Sequence, residues 1–560
     1  MLTYQNLIEA LGAAPDDRPF ITFWIDEDTQ ETVTFGEFRR RSRLQASALR
    51  AHRVKPGDRV VIIMPQGIAA MTVFVGATML GAVPAFLAYP NEKVEPAKYR
   101  SGLIGVTANL KAKLVVIDKD FPDGILDCVP LTDGAIFHRA DDVALVAETF
   151  DVKISPDQVA FIQHSAGTTG LQKGVALTHA AVLRQIDHLA RALQVDGKND
   201  RIYSWLPLYH DMGLIACFIL PMVCHLPVAM QSPIEWVMQP ESMLAVITEQ
   251  RSTLAWMPNF AFQFIPRRTR ENRRSGYDLS CLRALINCSE PVRASSMSEF
   301  QQAFASCGFK AAALQTSYAM AENVFAVTQS DLHAEPSRVW ADGKQFRAAH
   351  RMKPVSEGNE GAISFTSSGR LLPNHEVRIV SDSAAVLIDG EVGEILVKSD
   401  CLFDGYYNRP DLTAKEVLDG WYHTGDLGFL LENELYVVGR KKDLIIVGGE
   451  NLYPQDIEEI AASHPAVHDG RTIALGVYNS DLGTEGIVIV AEVETQEHLT
   501  HAEEIEREIR ARVVSGLGIS PNLILLKPPK WIVKSTAGKA ARSATFEKLR
   551  REHPELNIEI

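Results

Sequence analysis

The 560-residue chain has no C-x-x-C pair and only seven cysteines, an odd number scattered as Cys128, Cys217, Cys224, Cys281, Cys288, Cys307 and Cys401. That pattern disfavours a disulfide framework or a cysteine-rich zinc site, and it reads more simply as buried thiols in a reducing cytoplasm. Positive charge is not in excess either: 56 Lys and Arg against 70 Asp and Glu leave a net charge of −14. A general nucleic-acid or anionic-membrane binder is disfavoured, whereas a small anionic ligand, which responds to local charge, is not. Met1 to Glu9 lacks a basic region followed by an apolar core, so no secretory signal is expected. Internal repeats and low-complexity tracts are absent. Long uncharged runs are scarce. Gly67 to Tyr89 is long enough to span a bilayer, but Gly76, Gly81 and Pro84 interrupt it and the strand-like Arg59 to Met64 precedes it. The reading is a buried helix–strand unit with no membrane span. Gly213 to Met230 is broken by Pro221, His225 and Pro227.

What is present is an ordinary globular composition, 46% apolar and 22% charged, in a chain too long for one core. Residues 1–150 alternate strand and helix patterns. Val33-Thr34-Phe35 leads into a helix from about Phe38 to Ala51, and Leu114 to Ile117 is a short strand. Such alternation implies α/β layering. From about residue 360 short alternating stretches, such as Glu376 to Val380 and Glu394 to Lys398, suggest a small β barrel or sheet. The charged run Gly439-Arg440-Lys441-Lys442-Asp443 is the candidate boundary. The expected architecture is α/β: a large N-terminal domain, 1–439, of layered α/β subdomains plus a small β barrel, then a small mobile α+β C-terminal domain, 440–560.

The chemistry centres on His164-Ser165-Ala166-Gly167-Thr168-Thr169-Gly170-Leu171-Gln172-Lys173-Gly174. A strand-like run precedes it, and a helix capped by Thr178 follows. Glycines let backbone N–H groups approach phosphate oxygens, hydroxyls donate, and a lysine adds a point charge. The run is not the G-x-x-x-x-G-K-[ST] pattern, and a Gly/Ser/Thr turn is compatible with an ordinary loop as well. Further on come His210-Asp211, Ser317-Tyr318-Ala319-Met320-Ala321-Glu322, Tyr422-His423-Thr424-Gly425-Asp426, the 439–443 run, and Ser535-Thr536-Ala537-Gly538-Lys539. Taken singly, such carboxylates and cations are more often solvated or salt-bridged. Their order over some 375 residues is the signal.

That ordered set resembles the adenylate-forming enzymes: acyl-CoA synthetases, luciferases and peptide-synthetase adenylation domains. Leu206 to Ile215, Pro258 to Phe262, Ser289 to Arg293, Asn451 to Glu458 and Ala321 make the fatty acyl-AMP ligases the most similar subfamily. The resemblance implies that a carboxylate attacks the α-phosphorus of ATP, giving acyl-AMP and pyrophosphate, and that a thiol then takes the acyl group. It implies that Ser165, Gly167, Thr168, Thr169, Gly170 and Lys173 hold the β- and γ-phosphates, and that Glu322 holds Mg²⁺. Tyr318, with Ser317, Ala321 and the Ser289-Glu290-Pro291 turn, would line the adenine. Asp426 would accept from the ribose hydroxyls, and Arg440 would contact ribose or phosphate. Lys539 would bridge carboxylate and α-phosphate, and His210 would sit where acyl group meets phosphate. Lys442 matches the hinge position.

Two departures stand out. Ala319 replaces the usual glycine after the tyrosine. Gly448-Gly449-Glu450 lacks the lysine that CoA-using relatives often carry, which favours the phosphopantetheine of an acyl carrier protein over CoA as acceptor. The carboxylic acid is expected to be a fatty acid. The alternatives are an acyl-CoA synthetase, an amino-acid adenylation enzyme with Asp211 facing the amine, and an inactive nucleotide-binding scaffold. The chain ends some twenty residues after Lys539, so any carrier is expected to be a separate protein.

Overall fold

The computed structural model describes residues 3–26, 28–90, 96–126, 136–140, 150–164, 173–447, 450–479, 484–534 and 540–554. Among the site residues read from the sequence, Ser165, Gly167, Thr168, Thr169, Gly170 and Lys539 lie outside them, as does the Gly448-Gly449 pair.

Two largely parallel sheets form the body of the molecule. The first runs Leu314–Thr316, Ala284–Asn287, Leu254–Met257, Ile202–Ser204, Val228–Gln231, Pro19–Trp24, with Gln30–Thr34 added antiparallel at the edge. The second runs Val83–Phe86, Arg59–Ile63, Leu114–Ile117, Ile136–Arg139, all parallel. The inner strands are mostly apolar and almost wholly buried, as strands covered on both faces are. The helix Phe35–Ala51 begins three residues earlier than its apolar spacing suggests, because Thr34 caps it, its side chain accepting from Glu37 N. Thr178 caps the helix His179–Ala192 in the same way.

The uncharged run resolves into the helix Ile68–Met79 and the strand Val83–Phe86, with nearly every residue buried. Gly76 is required there: a Cβ would come within 2.8 Å of Ser42 O on the crossing helix. Among the described residues no helix is long and apolar enough to cross a membrane.

Beyond residue 370 the sheet is antiparallel and half-barrel-like. Strands His375–Val380, Gly393–Ser399 and Trp421–Leu431 pair in that order, and Glu434–Arg440 pairs with the long strand. Glu432 and Asn433, both at positive φ, make the two-residue hairpin turn. The last unit is a three-stranded sheet of Val467–Asn479, Thr484–Val493 and Leu523–Lys527. Its alternation decides its layers. Ile487 and Ile489 pack with Ile457, Ile505 and Ile509 on one side, while Val488 and Val490 pack with Ile532, Phe546 and Leu549 on the other.

This last unit docks on the rest through Tyr453, which packs with Phe346, Phe429 and Tyr436. Asn451 Nδ2 lies 3.2 Å from His350 Nε2, and Arg267 pairs with Asp469 at 2.7 Å.

Candidate active site

Three adjacent parallel strands end together. Met257 is in register with Asn287, and Asn287 with Thr316. The turns beyond these strands therefore share one edge, the carboxyl edge where open α/β sheets take ligands. They are tied to each other: Ser317 N donates to Asn287 O at 3.1 Å, and Asn287 Nδ2 donates to Asn259 Oδ1 at 2.9 Å. Asn287 Oδ1 is buried and has no partner among the described residues, a free acceptor that would otherwise cost about 1–3 kcal/mol. Ser289 takes a positive φ of 71°, and its hydroxyl lies 3.9 Å from Met212 Sδ. Glu290 does not face an open pocket with its whole carboxylate: Oε2 accepts from Phe260 N at 2.9 Å. Pro291 continues this turn.

Tyr318 leaves the third strand with its N–H on Thr328 Oγ1, and Ser317 Oγ donates to Thr328 O. Its hydroxyl donates to Asp426 Oδ2 at 2.7 Å. Arg440 is the cross-strand neighbour of Asp426, with Nε 3.2 Å from Oδ1. Thus Tyr318, Asp426 and Arg440 meet although they span 122 positions of the chain. Asp426 lifts the Arg440 pKa further, and burial, then Asp426, holds the Tyr318 phenol well above its ordinary range. Asp426 thus stands between a guanidinium and a phenol that donates to it.

A second group surrounds Glu322. Tyr406 Oη lies 2.9 Å from Glu322 Oε1 and 2.6 Å from Glu416 Oε2, and Tyr422 Oη lies 3.3 Å away. Lys173 Nζ pairs with Glu416 at 2.6 Å and sits 4.6 Å above the Tyr406 ring. Lys173 and Glu322 are thus brought together, but Lys173 is engaged by a carboxylate that the sequence did not single out. Burial raises the Glu322 pKa, Asp211 adds to it, and Lys173 opposes it.

This gives a stability prediction with a definite sign. A carboxyl whose folded pKa lies above the ordinary value of about 4.3 costs stability at all higher pH, and the cost vanishes as pH falls below that value. Glu322→Gln is expected to raise Tm at pH 7 by about 2 °C, the scale of a 1 kcal/mol effect in a protein this large, and the gain should disappear toward pH 4. Calorimetry at the two pH values checks it.

His210 Nδ1 lies 2.7 Å from Asp211 Oδ1, which also accepts from Met212 N at 2.8 Å. Asp211 therefore fixes its neighbour's ring and caps a π-helical segment, Met212–Ile219. Such segments are rare and frequent at functional sites. Gly213 is required at its start, since a Cβ would fall 2.3 Å from Pro207 O. On the far side Trp205 and Trp236 stack face to face with ring centroids 3.5 Å apart, and Phe260 meets both edge-on. The sequence offers Trp205, Met212, Phe218, Trp236, Phe260 and Phe262 as candidates for an apolar wall, but Phe218 and Phe262 pack elsewhere. Phe218 joins Phe20, Phe38 and Phe74, and Phe262 joins Phe300.

Lys442 is exposed, inside a single 3₁₀ turn, Lys441–Asp443. Ala321 opens another, Ala321–Asn323. Lys534 and Ala540, the described residues that flank 535–539, form an isolated antiparallel bridge. The buried carboxylate of Glu492 holds the 530–532 segment, accepting from Lys530 N and Ile532 N at 2.9 and 2.6 Å. Sequence reading missed Tyr406, Glu416 and Glu492. Tyr406 and Glu416 sit in no quoted motif, and only Tyr422 lay within one.

The geometry can be set beside known proteins. The family model of AMP-binding enzymes matches residues 8–407. The putative fatty-acid–CoA ligase FadD21 of Mycobacterium tuberculosis is 29% identical, with 97% of each chain covered. The long-chain-fatty-acid–AMP ligase FadD28 of the same organism is also 29% identical, covering 98% of this chain and 99% of its own. A structure solved in work on fatty acyl-adenylate ligases from E. coli and L. pneumophila superposes with a TM-score of 0.90 at 26% identity, over 99% of this chain and 98% of the other. The match to the family model spans well over half of the sequence, and the chain belongs to the AMP-binding enzymes.

Proposed function

We propose that this protein activates a fatty acid with ATP, releasing pyrophosphate, and passes the acyl group from acyl-AMP to the phosphopantetheine thiol of a separate acyl carrier protein. The observation that carries the first step is the meeting of Tyr318, Asp426 and Arg440 at the carboxyl edge of the sheet. A ring, a carboxylate and a guanidinium are what adenine, ribose and phosphate need. Asn287 Oδ1 adds an acceptor of the kind the adenine amino group requires. Lys173 and the 165–170 hydroxyls would neutralise the β- and γ-phosphates, with Lys173 exchanging Glu416 for phosphate. Lys539 would take the α-phosphate and the attacking carboxylate. Positioning and charge neutralisation of this sort supply most of the rate in such transfers.

Mg²⁺ fits the Glu322 group on its donor chemistry: a buried carboxylate beside a second one, Glu416, and a phenol, all hard oxygens. Bound there, the ion would neutralise phosphate charge. Glu322 would ligate it, with Tyr406 holding the carboxylate in place. The Trp205, Trp236 and Phe260 cluster, joined to the nucleotide turn where Phe260 N donates to Glu290, would form an apolar wall for the acyl chain.

Residues 440–560 would form the mobile domain that moves between the two half-reactions. The printed name of FadD28, an AMP ligase, supports the acyl-AMP reading. That of FadD21, a CoA ligase, favours the second reading, CoA as acceptor.

The test is product analysis by mass spectrometry. ATP, Mg²⁺ and a panel of fatty acids are supplied without thiol, with CoA, and with a phosphopantetheinylated carrier protein. The expected result is acyl-AMP that persists with CoA and is consumed by the carrier. Efficient acyl-CoA formation would replace the carrier by CoA. Absence of any acyl-AMP from the whole panel would overturn the reading.

A further inference from the structure

Glu322 sits in the middle of the 3₁₀ turn Ala321–Asn323, and the residue next after this turn is strained. Val324 has φ 61° and ψ −53° and is fully buried. Phe325 N donates back to Asn323 O at 2.6 Å, closing a three-residue γ-turn around the valine. A β-branched side chain at positive φ costs of order 1–3 kcal/mol and persists only where its surroundings over-determine it.

The surroundings converge on Asn323, which is itself fully buried. Its Nδ2 donates to Ala326 O at 2.9 Å, within the turn. The same amide reaches His375 Nε2 at 2.9 Å and Gln185 Oε1 at 3.4 Å. Its Oδ1 accepts from Ser399 Oγ at 2.5 Å. Three separate elements thus grip one side chain: the helix His179–Ala192 and the strands His375–Val380 and Gly393–Ser399. The imidazole is held in the tautomer this needs. His375 Nδ1 lies 2.8 Å from Pro373 O, a carbonyl that can only accept, so Nδ1 carries the proton and Nε2 is left to accept from Asn323. His188 packs edge-on against the same ring and is paired in turn with Asp400 at 3.0 Å. Burial keeps the His375 pKa below its ordinary value, as a neutral ring requires.

On the other side of the turn the Glu322 backbone is fixed as well, its carbonyl accepting from Phe403 N at 2.9 Å. A residue adjacent to the metal-facing carboxylate, turned away from the site and locked to three elements, has a position to impose. We infer that Asn323 is a positioning residue. Its anchorage by Ser399, His375 and Gln185 holds the strained turn that presents the Glu322 carboxylate to the metal ion. The inference rests on the reading of Glu322 as the metal carboxylate.

Mn²⁺ is the probe. It is titrated into the full chain in the presence of ATP, free ion is read by electron spin resonance, and melting is followed in parallel. Asn323→Ala is expected to weaken Mn²⁺ binding by about 3- to 10-fold, the scale of one or two lost hydrogen bonds, and to lower Tm. Ser399→Ala, which removes one anchor only, is expected to weaken it by about threefold. His375→Gln, which retains an acceptor, should stay within about twofold.

The decisive variant is Asn323→Ala combined with Val324→Gly. Glycine relieves the positive φ, so stability should return while Mn²⁺ affinity stays low. Recovery of both, or normal Mn²⁺ affinity in Asn323→Ala and Ser399→Ala alike, would overturn the positioning role. If Glu322→Gln itself binds Mn²⁺ normally, the metal reading of Glu322 fails, and this inference with it.

Discussion

Asp426→Ala is expected to lower kcat/KM for ATP in acyl-AMP formation by about 10³-fold. A carboxylate that accepts from two ribose hydroxyls makes two charge-assisted hydrogen bonds, each worth about 1.5–3 kcal/mol, and each 1.4 kcal/mol is tenfold. The loss exceeds the contact itself because two other groups depend on the same carboxylate. Tyr318 Oη donates to Oδ2 at 2.7 Å, and Arg440 Nε lies 3.2 Å from Oδ1. Without it, the phenol and the guanidinium lose the partner that sets them beside the base and the sugar. Asp426→Asn keeps the shape and one acceptor oxygen, and should fall between, near 10-fold to 100-fold. The measurement is pyrophosphate release against ATP concentration, with a melting curve to show that the fold persists. Unchanged kcat/KM in Asp426→Ala would remove this carboxylate from the nucleotide site.

Lys442→Pro is expected to separate the two half-reactions. Acyl-AMP formation should stay within about threefold of the parent, while thioester formation should fall at least about 100-fold. The reason lies in the neighbours. Lys441 is bound to Asp382 at 2.9 Å and to Glu394 at 3.2 Å, both on the half-barrel side. Asp443 is paired at 3.4 Å with Arg542, which belongs to the last unit. Between these two anchors Lys442 is exposed and makes no ion pair among the described residues. In the proposed rotation a single residue would thus be left to absorb the φ/ψ change, and proline fixes its φ near −65°. Single-turnover assays of pyrophosphate and of acylated carrier protein read the two steps separately. Equal loss in both would show that the turn is part of the adenylation site and not the pivot.

The hairpin that carries Asp426 and Arg440 shows how far sequence goes. Leu431 to Glu434 reads as a two-residue turn, and counting back from it sets Asp426 opposite Gly439. The bulge at Leu427 and Gly428 shifts the register by one, so that Arg440 takes the place instead. Nothing in the local residues announces that bulge. The strands ending at Met257 and Asn287 are legible in the residues, because short apolar runs ending in polar turns are a local signal. The Tyr406, Glu416 and Lys173 cluster was not, because Lys173 stands more than two hundred residues from the 406–416 segment that holds the other two, and each is ordinary where it stands. The aromatic residues show the same limit. Composition offers six candidates for an apolar wall, and only packing tells that Trp205, Trp236 and Phe260 stand together while Phe218 and Phe262 fill other layers.

The pairing of Arg542 with Asp443 has a mechanical consequence. If Lys442 is the axle, Arg542, paired with the next residue, lies at a short radius from it. Points near an axle travel least for each degree turned. A slight tilt of the C-terminal unit would leave Arg542 almost where it was. Under the proposed mobile-domain reading, moving the segment that Arg542 anchors therefore demands a large angle. The motion would behave as a latch with two seats, in which intermediate angles serve neither half-reaction.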